Sequence, residues 1–243
     1  MVLLNRPLVL SDRVSFVNLR KVAFSHKTPD FNVLSRNIYM KAIQLFYAKM
    51  PRRRDCLKKM MEFRWHGRGG QGAWTASELL ARTALDEGKC IQSFPEFGPE
   101  RMGAPVTAFT RISDEPIRLH CAIYDPDVVV VLDDTLLKSV PVTAGLNRDD
   151  NVLIINSTEP PAALKENLKV TKGKVWTVPA TEIALKMLGV PITNTALLGS
   201  VAKATEIVSL DGIAKTLKGR FRQDLAEKNF AVVKEAYMEA KSE

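Results

Sequence analysis

The chain has 243 residues, with 35 Lys and Arg against 27 Asp and Glu, enough for one sizeable α/β domain plus an appendage. Its net charge of +8 is local: residues 1–60 hold 13 basic and 3 acidic residues, residues 61–243 hold 22 and 24. The main body therefore lacks the basic surface that a nucleic acid requires. No apolar run approaches the ~18 residues of a membrane span, and Cys56, Cys90 and Cys121 form neither a C-x-x-C pair nor an even disulfide set. A soluble protein of the reducing cytoplasm is expected.

Residues 1–60 carry scattered apolar groups and end in the basic stretch "RRRDCLKK", Arg52 to Lys59. They read as an N-terminal extension: a disordered tail, an Arg-rich and acid-poor transit-like segment, or text upstream of a true start at Met61. A short helix around Asn37 to Lys49 fits the apolar spacing. A secretory signal does not fit, because Arg6 breaks the opening apolar run.

The main domain is expected over 61–243. "EFRWH" reads as a strand, "HGRGGQG" as a glycine loop, and Ala73, Ala76, Leu79, Leu80 and Ala84 as a helix stopped by Gly88. "CIQSF" and the alternating "VTAFTRI" are the next strands, joined by "PEFGPERMGAP". "DVVVVLDD", "NVLIINS" and "KVWTVP" are short, continuously apolar strands, as in a sheet buried on both faces. The last 60 or so residues turn helical: "TEIALKMLG", "NTALLGSVAKATEIV", "LDGIAKTLKGRF" and "QDLAEKNFAVVKEAYMEAK". The predicted fold is α/β and Rossmann-like: a largely parallel sheet flanked by helices, with a C-terminal helical segment.

Gly67, Gly69 and Gly72 satisfy G-x-G-x-x-G, the spacing with which backbone amides approach a phosphate at a helix start. On spacing alone the loop could serve NAD(P), with Glu96, 24 residues beyond Gly72, as ribose acid. It could equally be a tight turn that packs strand against helix. His66 reads as a structural hydrogen-bonder. Asp133 and Asp134 end the valine strand, where such sheets place ligands, and are equally good turn residues.

The motif order "FRWHGRGGQGAWTASELLA", "QSFPEFGPERMGAPVTAFTRI", "YDPDVVVVLDDTLL", "PITNTALLGSVAKAT" closely resembles the gamma subunit of the 2-oxoacid:ferredoxin oxidoreductases, above all the pyruvate enzymes. The resemblance spans Met61 to about Glu239. It implies a subunit without catalytic residues of its own, closing an active site and contributing to coenzyme A binding. Thiamine diphosphate, magnesium and iron–sulfur clusters would sit on alpha, beta and delta-type partners, which pass electrons to ferredoxin. In agreement, the chain has no "GDG" motif followed by the Asn of a thiamine site, and no cluster-forming cysteine set. The residues implied in coenzyme A or anion binding are Gly67, Arg68, Gly69, Gly70, Gln71, Gly72, Arg101, Asn194 and Thr195. A dehydrogenase domain and a purely structural subunit remain the alternatives.

Overall fold

Alternation along "MMEFRWHGR" sends Phe63 and Trp65 to one side and Arg64 and His66 to the other, which makes the segment a strand with two different faces. The computed structural model describes residues 60–96 and 102–243; the expectations for the N-terminal extension and for Arg101 fall outside them.

Among the described residues seven strands form one sheet: β1 (Met60–Arg68), β2 (Cys90–Glu96), β3 (Pro105–Ser113), β4 (Val128–Val131), β5 (Val152–Asn156), β6 (Lys174–Val178) and β7 (Lys241–Ser242), in the order β2-β3-β1-β4-β5-β6-β7. β1, β4, β5 and β6 pair in parallel, and β3 runs antiparallel to both β1 and β2. β2 therefore also points the same way as β1, and only β3 and β7 run against the rest. The C-terminal ends of five strands share one edge.

The valine run is buried on both faces, as its composition predicts. Val128, Val130 and Ile154 join Phe63 and Trp65 in the main core, while Val129, Val131, Leu153 and Ile155 form a second core on the opposite face. Each large side chain removed from water contributes about 1.5–3 kcal/mol. Helix α1 (Ala73–Asp86) packs on the main-core face with α4 (Asn194–Thr205), α5 (Leu210–Arg220) and α6 (Gln223–Glu239). Helix α2 (Pro161–Asn167) and a 3₁₀ turn (Asp134–Lys138) contribute Leu164 and Leu136 to the second core, and α3 (Ala180–Leu188) follows β6.

Helix α4 stops three residues before the predicted Val208. Glu206 takes a left-handed conformation with φ 52°, and the chain turns so that Ser209 can donate to Glu87 and cap α5 through its hydroxyl. Helices α4 and α6 run side by side in the same direction. Thr195 at the start of α4 meets Asn229, nearly two turns into α6, and Lys203 donates to the Ala240 carbonyl near the ends of both. Their N-termini thus lie at the same end as the N-terminus of α1, where Asn194 packs on Gly72.

Candidate functional site

The glycine loop leaves β1 at the edge where the strands end, at the point where the chain departs first toward β2 and later toward β4. A crevice opens at such a change of direction in an α/β sheet. Here it is a cleft of about 440 Å³ lined by Gly70, Gln71, Asp133, Asp134, Asn156 and Ile192, among others. A larger cleft of about 760 Å³ flanks the second half of α1, away from the loop.

Each glycine has a distinct reason to be one. A Cβ on Gly67 would lie 2.9 Å from that of Ala73, so the strand end and helix start could not close together. Gly70 and Gly72 have φ of 93° and 77°, in the left-handed region. The left-handed positions of the loop are therefore these two, and Gly69 serves by pairing instead. Its amide donates to the Ala104 carbonyl at 2.9 Å and its carbonyl accepts from Gly103 at 3.1 Å. The loop and the turn between β2 and β3, separate motifs in the sequence, are thereby continuous with the β1–β3 ladder.

Gly72 caps α1 without a side chain, so the first-turn amides open outward with the positive end of the helix dipole. The amides of Gly70, Gly72 and Ala73 have no hydrogen-bond partner among the described residues. Asn194 leans over this point: it is 7% exposed, and a Cβ on Gly72 would fall 2.5 Å from its Nδ2. Its Oδ1 accepts from the Thr195 amide at 2.7 Å, while its Nδ2 has no partner among the described residues. This is a set of donors without acceptors.

Three predicted site residues have hydrogen-bond partners within the domain. Thr195 is 0% exposed and donates through Oγ1 to Asn229 at 2.9 Å, joining α4 to α6; it faces the helical layer. The cap position of α4 is Thr193, and Asn194 and Thr195 are the first two residues of the helix itself. Arg68 donates from Nε to Asp133 at 3.2 Å, from Nη1 to the Gly103 carbonyl at 3.1 Å and from Nη2 to Thr135 at 2.7 Å. Gln71 closes the loop, accepting from the Arg68 amide at 2.8 Å and donating to Asp133 at 2.6 Å. Arg101 lies outside the described residues.

Asp133 is thus a centre of the site that spacing alone does not single out. Burial works to raise its pKa, but hydrogen bonds from Thr135 and Gln71, with the charge of Arg68, outweigh burial and hold the carboxyl below its ordinary value. His66 is the opposite case. It is 5% exposed and accepts from Arg64 Nε at 3.0 Å; burial, reinforced by the Arg64 charge, pushes its pKa down to about 4. It is a neutral acceptor beside the loop. Arg64 in turn holds the carbonyls of Tyr124, Val142 and Ala144.

The dinucleotide alternative meets a topological obstacle. Its ribose acid belongs at the end of the strand next to β1, whereas β3 stands between β1 and β2 and puts Glu96 about 10 Å away in sheet spacings. Among the described residues, no group of three His, Cys, Asp or Glu could hold a metal ion, and no helix is long and apolar enough to cross a membrane.

Residues 62–239 match the family described as pyruvate ferredoxin/flavodoxin oxidoreductase. The pyruvate/ketoisovalerate oxidoreductases common subunit gamma of Thermococcus kodakarensis is 54% identical over 178 residues, covering 73% of this chain and 96% of that protein. The pyruvate synthase subunit PorC of Methanocaldococcus jannaschii is 49% identical over 180 residues, covering 74% and 97%. In the crystal structure of the pyruvate oxidoreductase subunit PORC of Thermotoga maritima the similarity has a TM-score of 0.68 at 41% identity, covering 76% of this chain and 98% of that one. Strand edge, glycine loop and helical layer are accordingly those of a known subunit type: the chain belongs to the pyruvate ferredoxin/flavodoxin oxidoreductase family.

Proposed function

We propose that the chain is the gamma subunit of a cytoplasmic 2-oxoacid:ferredoxin oxidoreductase of the pyruvate type, and that its glycine loop contributes to the coenzyme A site. The complex would convert pyruvate, coenzyme A and oxidised ferredoxin to acetyl-coenzyme A, carbon dioxide and reduced ferredoxin. Thiamine diphosphate, magnesium and the iron–sulfur clusters supply decarboxylation and electron transfer on alpha, beta and delta-type partners. This chain contributes binding and closure. Residues 1–60 are an extension outside the functional domain, in keeping with a family match that begins at residue 62.

One observation carries the loop assignment. The amides of Gly70, Gly72 and Ala73, without partners among the described residues, and the nearly buried Asn194 carboxamide lie beside the positive end of α1, a donor set suited to a phosphate. Gly67 permits the close strand–helix approach, and Gly69, Gln71 and Arg68 keep the loop in shape. Thr195 supports Asn194 from below rather than touching ligand.

The test is Asn194→Leu in the reconstituted complex. The KM for coenzyme A should rise about fivefold to tenfold, the loss of one hydrogen bond of ~1–1.4 kcal/mol. Cluster reduction by pyruvate without coenzyme A should be retained. Normal coenzyme A kinetics with weakened assembly would make the loop a subunit contact and the chain a purely structural subunit.

A further inference from the structure

We infer that Asp133 is a positioning residue for coenzyme A, holding Arg68 and the glycine loop ready for its anionic groups; this rests on the coenzyme A reading of the loop. The carboxylate receives donors only. Oδ2 accepts from Arg68 Nε at 3.2 Å and from Gln71 Nε2 at 2.6 Å, and Oδ1 accepts from the Thr135 amide at 3.0 Å and the Thr135 hydroxyl at 2.5 Å.

Through these contacts, residues from three separate segments meet at one side chain: the glycine loop (Arg68, Gln71), the β2–β3 turn (the Gly103 carbonyl, reached through Arg68) and the 3₁₀ turn (Thr135). A guanidinium has five N–H donors. Asp133 and the Thr135 hydroxyl share the inner one at Nε, each at 3.2 Å, while Gly103 and Thr135 take one from each outer nitrogen, which leaves two directed elsewhere. Arg68 retains 29% exposure. The arrangement fixes the plane of the cation without using it up, and Gln71 sets the loop through the Arg68 amide. An Arg68 whose plane is fixed in advance loses little rotamer freedom when an anion arrives.

An asparagine at this position must turn its NH₂ toward one of the two donor pairs, so Asp133→Asn breaks the brace while keeping its volume. In the reconstituted complex this variant should raise the KM for coenzyme A about tenfold, the consequence of mis-setting one charge-assisted contact, and change kcat at saturating coenzyme A far less. Combined with Arg68→Ala, it should add less than it costs alone, because part of its effect runs through that side chain. If Asp133→Asn fails to assemble, Thr135→Val removes one hydroxyl from the same brace at an exposed turn and should raise the KM roughly threefold. A raised KM in Arg68→Ala with no change in Asp133→Asn would overturn the positioning role alone, as would full additivity of the two. An unchanged KM in Arg68→Ala would overturn the inference too, whereas the place of the loop in the coenzyme A site stands or falls with Asn194→Leu.

Discussion

Acidification should weaken the fold through one side chain. The folded chain keeps His66 neutral down to about pH 4, whereas the unfolded chain protonates it near pH ~6.5. Between these values the unfolded state holds the extra proton, so stability rises with pH there. His66 contributes fully above about pH 6.5, and its contribution is lost as pH falls to about 4. The two values correspond to about 3 kcal/mol in all, of which about 2 kcal/mol is gone by pH ~5. His66→Gln keeps an acceptor for Arg64 Nε but cannot titrate. Denaturant unfolding of the purified chain at several pH values between about 7.5 and 5 gives the comparison. The native chain should lose about 2 kcal/mol more than the variant across that window. Equal slopes in the two proteins would show that His66 is not the buried neutral base described here.

Two further substitutions test the packing of the loop. Thr195→Val removes the buried hydroxyl that joins α4 to Asn229 of α6 and should cost about 1–3 kcal/mol in chemical denaturation, because Asn229 loses its partner, with the KM for coenzyme A unchanged. Gly72→Ala and Gly88→Ala both place a side chain at positive φ, but only at Gly72 would the new Cβ meet Asn194; nothing lies within 4 Å at Gly88. Each should lose ~1–2 kcal/mol to backbone strain, and Gly72→Ala should lose measurably more in thermal melts.

The central strands are legible in the sequence because continuous valine and isoleucine has one structural use, burial on both faces, and the glycine loop because backbone demands write themselves as glycines at fixed spacing. Helix α2 is not: Pro161–Asn167 is seven residues long and buries only Leu164, too little periodicity to separate from a loop. Asp133 escapes for another reason. An acid at a strand end looks the same whether it is solvated or receives Arg68, Gln71 and Thr135, and its partners in the loop lie 62 and 65 residues away. The role of Thr195 is likewise decided by Asn229, 34 residues on. Local spacing marks where the backbone must bend, and only the fold shows which side chains meet there.

The stitching of the glycine loop to the β2–β3 turn limits how the domain can move. A flap motion of the loop alone would break the Gly69–Ala104 and Gly103–Gly69 backbone bonds and the Arg68 bond to the Gly103 carbonyl, each ~0.5–1.5 kcal/mol or more for the charged donor. A swing of the whole domain as a rigid block breaks none of them. The closure over a partner's active site proposed above would therefore displace the entire sheet, governed by the contacts the domain makes outside itself.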